Sequence, residues 1–183
     1  MSSDGENSEN AGSDEETGTD SDDIDVDGPT GDGDGSDGGV FETIEVGDSY
    51  RTGGRTITDA DIANFAGVSG DFNHLHTDAE RMRGTAFGGR IAHGMLVLSA
   101  ATGLIWQTRG EAEREAVVAF YGIDSLRFVA PVFLKDTIHL VVEVIDTEAR
   151  DHPIANGVVR YAIDVRNQNE ETVLACEMLS LLR

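Results

Sequence analysis

His93-Gly94-Met95-Leu96-Val97-Leu98-Ser99-Ala100-Ala101-Thr102-Gly103-Leu104-Ile105-Trp106-Gln107 is apolar on almost every face of a helix. A helix of that kind must be enclosed by the rest of its fold. The run is too short to span a bilayer, and Thr102 and Gly103 interrupt it. The downstream segments supply the enclosure. Residues 117–129, 136–147, 157–167 and 172–182 are rich in Val, Ile, Leu, Phe and Tyr. Val159, Tyr161, Ile163 and Val165 alternate with Arg160, Asp164 and Arg166, the period of a half-buried strand. His152-Pro153 and Asn167-Gln168-Asn169 mark turns between strands. One buried helix followed by four long strands predicts an α+β fold, an antiparallel sheet curled around a central helix.

Upstream of the helix, Phe41 to Ile57 reads as extended, with Gly47-Asp48 and Gly53-Gly54 as turns. Thr58 is an N-cap with Asp61 as its capping-box partner, and Ile57 and Ile62 stand at staple positions. Gly67 and Gly70 end that helix. Thr77, with Glu80 three residues on, reads as a second cap. The segment Gly70-Asp71-Phe72-Asn73-His74-Leu75-His76 is thus a loop clamped between helix signals, a setting in which rigid elements hold functional side chains.

Further out, the composition changes. Residues 1–40 carry fourteen Asp and Glu and no Lys or Arg, with Ile24, Val26 and Val40 as almost their only large apolar groups. Such a segment cannot bury enough surface to offset the entropy of ordering it, so a disordered acidic tail is expected over 1–40 and one domain over 41–183. Of the chain's net charge of −22, the tail supplies −14, which leaves −8 on the domain. That field disfavours nucleic acid and anionic membranes as partners. Lys135 is the single lysine among the thirteen basic residues. Abundant Asp with almost no Lys suits solubility in concentrated salt and points to a halophilic source. With Cys176 the sole cysteine and an acidic N-terminus, a reducing cytoplasm is the expected location.

Chemistry concentrates at Asp71 and His76. A carboxylate and an imidazole that share one water are suited to adding water to an activated double bond or removing it. Taken singly, Asp71 reads as a turn residue and His76 as a flank of Thr77. Gly94 begins the buried helix, where backbone N–H groups and the helix dipole favour a developing oxyanion. Its missing side chain permits close approach by a substrate. His93 reads as fixing the helix start. Asn73 either bonds substrate or orients the loop backbone. His74 and His76 form a His-x-His, but no third His or Cys lies at ligand spacing, so no metal is expected. Arg81, Arg83 and Arg90 read as surface groups, with phosphate binding the lesser reading, and Cys176 as a packing residue.

Together, Gly70-Asp71-Phe72-Asn73, Leu75-His76 and Gly89-Arg90-Ile91-Ala92-His93-Gly94-Met95 resemble the MaoC-like (R)-specific enoyl-CoA hydratases of the hotdog fold. The resemblance implies a homodimer, acyl-CoA thioester substrates, no cofactor beyond the CoA of the substrate, and reversible hydration of trans-2-enoyl-CoA to (R)-3-hydroxyacyl-CoA. It assigns Asp71 and His76 as the catalytic pair and Asn73 as the Asn between them. Gly94 becomes the carbonyl-binding amide, and Thr102 a hydroxyl supporting the pair. The proline expected before Leu75 is His74 here. Two rival readings use the same fold: an acyl-CoA thioesterase, and a non-catalytic acyl-thioester-binding subunit.

Overall fold

The computed structural model describes residues 39–183, so the tail expected over 1–40 lies outside the described residues but for Gly39 and Val40. A 3₁₀ turn, Val40–Thr43, opens the domain. Two short strands follow, β1 (Ser49–Arg51) and β2 (Arg55–Thr56), then the helices α1 (Asp59–Ser69), α2 (His74–Thr77), α3 (Ala79–Arg83), α4 (Gly94–Thr108) and α5 (Glu111–Ala116). Four long strands complete the chain: β3 (Val117–Phe128), β4 (Thr137–His152), β5 (Ala155–Arg166) and β6 (Thr172–Leu182).

The strands form one antiparallel sheet in the order β1-β4-β5-β6-β3, with β2 also paired to β4. α4 lays Leu96, Val97, Leu98, Ala100, Ala101, Leu104 and Ile105 against it, where they join Val142, Tyr161, Ile163, Cys176 and Met178 in the core. This is the antiparallel sheet around one helix that the sequence pattern predicts, and the hotdog fold that the resemblance implies. Along β5, Val159, Tyr161, Ile163 and Val165 are buried. Arg160 and Arg166 stay nearer solvent in ion pairs with Asp124, Glu177 and Asp164.

The helix is not enclosed on all sides, however. Met95, Ser99 and Trp106 are exposed, because one sheet covers one side of α4 and these residues lie along the other. Of the expected extended stretch from Phe41 to Ile57, only Ser49–Arg51 and Arg55–Thr56 are strand, both beside β4, and it opens within the 3₁₀ turn. α5 carries no hydrophobic stripe to announce it. It is started by the Gly110 N–H donating to the Glu113 carboxylate, a bond of 3.0 Å.

Candidate active site

α1 begins as its sequence dictates. The Thr58 hydroxyl accepts from the Asp61 N–H, while the Asp61 carboxylate accepts from the Thr58 N–H at 2.8 Å. It ends at Gly70, whose φ of 74° is left-handed, a conformation that glycine adopts without a Cβ penalty. This turn redirects the chain into the segment that carries Asp71. There one carboxylate oxygen, Oδ1, accepts from the Asn73 N–H at 3.1 Å, which leaves Oδ2 for other partners.

The stretch from His74 is a single helical turn rather than open loop. Asn73 caps it by accepting from the Leu75 N–H at 3.1 Å, so its side chain orients backbone. His74 takes the first helical position, where a proline is well tolerated because that N–H has no intrahelical acceptor. The substitution therefore leaves the turn intact. The next cap is Asp78, not Thr77. Asp78 accepts from the Arg81 N–H, while the Thr77 hydroxyl donates back to the carbonyls of Phe72 and Asn73. A carboxylate one residue closer to the new helix takes the role expected of the hydroxyl.

His76 is buried, and Asp71 is half exposed. The Nδ1–H of His76 donates to the Ile91 carbonyl at 2.8 Å, which fixes the tautomer and turns Nε2 toward Asp71. Nε2 and the Asp71 Oδ2 stand 3.8 Å apart. That is beyond direct hydrogen bonding, yet one water lying off the line between them reaches both. Spacing alone does not disclose the role of His93, which is buried and donates from Nε2 to the Asp71 carbonyl at 2.9 Å. Its ring stacks on His76 with centroids 3.6 Å apart and lies 5.1 Å from that of Phe65. His93 thus clamps the Asp71 segment to the start of α4, where it provides no side-chain cap.

The fold also supplies the third histidine missing from the local spacing: one ligand atom each from Asp71, His76 and His93 lies within 4.8 Å of the others. Stacked rings keep their in-plane lone pairs in two planes only 25° apart, a poor set for tetrahedral coordination.

These groups line a cavity of about 530 Å³ whose remaining walls, Ser69 apart, are apolar or glycine, among them Phe87, Ile91, Val132 and Val173. Gly94, at the first turn of α4, lines it too. Its smallness answers first to the protein: a Cβ there would meet the Phe128 ring at 2.6 Å. Thr102 is not brought to this group. It lies two turns along α4, where its hydroxyl donates to the Ser99 carbonyl and it lines a second cavity of about 510 Å³. Arg90 is tied to Asp59 at 2.6 Å and Arg83 to Glu80, as surface ion pairs. Cys176 is buried, and desolvation pushes its thiol up to about 11, so packing is its role.

A hotdog sheet around one helix, with an Asp–His pair and that helix's first turn lining one cavity, defines the class. The family model described as MaoC like domain matches residues 41–167. The chain belongs to this family of MaoC-like dehydratase domains. It is 38% identical over 120 residues to the (R)-specific enoyl-CoA hydratase of Aeromonas caviae, covering 65% of this chain and 84% of that protein. It is 44% identical over 100 residues to the protein MaoC of Klebsiella aerogenes, but that match spans 55% of this chain and only 29% of MaoC. Among solved structures, the monoamine oxidase regulatory protein from Archaeoglobus fulgius superposes with a TM-score of 0.71 at 41% identity, covering 78% of this chain and 93% of that one.

Proposed function

We propose that the protein catalyses reversible hydration of trans-2-enoyl-CoA to (R)-3-hydroxyacyl-CoA. One observation carries the reading: the 3.8 Å gap between Asp71 Oδ2 and His76 Nε2, on the wall of an apolar cavity that the first turn of α4 also lines. The likeness to a protein named as an (R)-specific enoyl-CoA hydratase supports it.

In this scheme the thioester carbonyl lies at the α4 N-terminus, where N–H groups without intrahelical acceptors and the helix dipole stabilise the enolate oxygen. The water held between Asp71 and His76 adds through oxygen to C3 as the C2–C3 π bond opens. The pair takes one proton from that water and returns one to C2, so no external acid or base is consumed. His93 acts through position alone, by holding the Asp71 carbonyl. The Phe128 ring, packed on Gly94, swings aside as the thioester enters.

Two copies of the chain, joined along the edge strand β3, complete this cavity. Phe128 and Val129 are both exposed at that edge and lie in the cavity lining.

The test is an assay with a panel of 2-enoyl-CoA thioesters, recording enoyl absorbance, free thiol and product configuration. Loss of the enoyl band with an (R)-3-hydroxyacyl product and no thiol release is the expected result. Thiol release without hydration would assign a thioesterase instead. Binding without turnover would assign a non-catalytic subunit.

A further inference from the structure

β3 reaches the reaction cavity through an irregularity in its pairing. Directly opposed residues of an antiparallel pair share one face of the sheet, and along each strand the faces alternate. On β6, Leu174, Cys176 and Met178 belong to the core, so Ala175 and Glu177 point to the outer face. Asp124 pairs with Glu177 and is therefore outer, and Arg160 bonds both carboxylates there, at 2.7 and 2.6 Å. Strict alternation from Asp124 would turn Arg127 inward and Phe128 outward. The opposite is found: Arg127 pairs with Ala175, and Phe128 with Leu174. Three steps along β3, Asp124 to Arg127, match two along β6, so β3 carries one surplus residue, a β-bulge. Such a slip exchanges the two faces of a strand. Here it sets an aromatic ring, in place of a guanidinium, against the first turn of α4. Arg127 stays exposed and donates to the Leu126 carbonyl.

The surplus is taken up at Ser125, whose φ of 53° is left-handed. Few residues other than glycine adopt that conformation readily, and a β-branched one resists it most. Both flanks of the bulge are held. Upstream stand the ion pairs of Asp124 and Glu177 with Arg160, and downstream the Val129 and Ala130 N–H groups donate to the Val173 carbonyl, at 2.9 and 3.3 Å. The backbone of Phe128 is thus fixed beside α4, while its half-exposed ring is free to turn about its own bonds.

Building on the hydratase reading, we propose that Ser125 is a positioning residue that acts through Phe128. Its left-handed turn aims the ring so that, after yielding to the incoming thioester, it closes over the carbonyl end and holds it on the α4 amides. Bulges that re-aim a side chain are over-represented next to active sites.

The test is a double-mutant cycle in the full chain, with KM and kcat for crotonyl-CoA measured separately in Ser125→Val, Phe128→Ala and the double variant. Phe128→Ala is expected to raise KM by about tenfold and leave kcat within a few-fold, as when a contact made equally to substrate and transition state is lost. Ser125→Val should raise KM by a similar factor alone and add little in Phe128→Ala, where no ring is left to misplace. Ser125→Asn, which tolerates the left-handed turn, should keep the wild-type KM. Should Ser125→Val fail to fold, Ser125→Thr, β-branched but still a hydroxyl, is read by the same cycle. KM losses that multiply in the double variant, a loss confined to kcat, or an equal loss in Ser125→Asn would overturn the proposal. Sedimentation accompanies each variant, because β3 is also the edge assigned to a second copy. A lower mass for Ser125→Val would assign its effect to assembly and overturn the proposal too. Calorimetry with butanoyl-CoA reads the cycle in binding alone. Non-additive losses in binding without any hydration would keep the role of Ser125 and discard the hydratase. Hydration with fully additive losses would do the reverse.

Discussion

At the residue scale, the site rests on small atoms placed against large ones. Gly94 borders the cavity, but the nearest obstacle to a side chain there is the Phe128 ring, at 2.6 Å from an added Cβ. Gly94→Ala is therefore expected to push that ring, which is half exposed, into the space the thioester needs. Its stability cost should stay within about 1–3 kcal/mol, because an exposed ring yields more readily than a packed core. Activity should fall further than stability, and adding Phe128→Ala should restore part of kcat/KM. No recovery in the double variant would place the requirement for glycine elsewhere. Asp71 and His76 were legible because both lie in one short, capped stretch. The hold of His93 on the Asp71 carbonyl and the Phe128–Gly94 contact were not, since each joins residues far apart in the chain. For the same reason, local spacing did not reveal that Thr102 and Asp71 line different cavities.

At the element scale, sequence periodicity located α1, α4 and the long strands because each carries a stripe that only one packing satisfies. The boundaries were less legible where two caps compete, as Thr77 and Asp78 do, or where an element such as α5 has no apolar stripe. One junction between elements makes stability depend on pH. His139 on β4 is buried next to Arg51 of β1 and within 3.4 Å of Glu170 in the β5–β6 turn. Burial, and then the Arg51 charge, hold its imidazole below the usual histidine range, against the pull of Glu170. A depressed histidine means that the unfolded chain binds the proton more readily. The folded state accordingly loses stability as pH falls through about 6.5. Glu170, bonded to Arg51, and Asp61, bonded to Thr58, are held low and add losses of the same sign at more acid pH. Denaturant midpoints measured from neutral pH downward should decline, with a shallower decline for His139→Gln between about pH 7 and 5. Parallel curves for the two proteins would exclude His139 as a cause.

At the scale of the whole molecule, charge and edges set behaviour. A net charge of −22 opposes compaction in dilute buffer, and salt screens it. The melting temperature is expected to rise steadily from 0.1 M to molar KCl, and a flat or falling trend would remove the basis for a halophilic reading. The sheet ends at β3, whose Phe120 and Tyr121 are 53% and 60% exposed, an edge that soluble proteins seldom leave bare. Sedimentation should give the mass of a dimer, and Tyr121→Lys should shift it toward monomer with loss of activity. A fully active monomer would contradict a cavity completed by a second copy. The most direct measurement compares kcat for hydration of a 2-enoyl-CoA in the wild type, Asp71→Asn, His76→Ala and the double variant, each verified as folded in high salt. If one water is shared, each single change should cost on the order of a hundredfold or more, and the double change little beyond the worse single one. Either single variant turning over within a few-fold of the wild type would contradict the shared water, as would losses that multiply in the double variant.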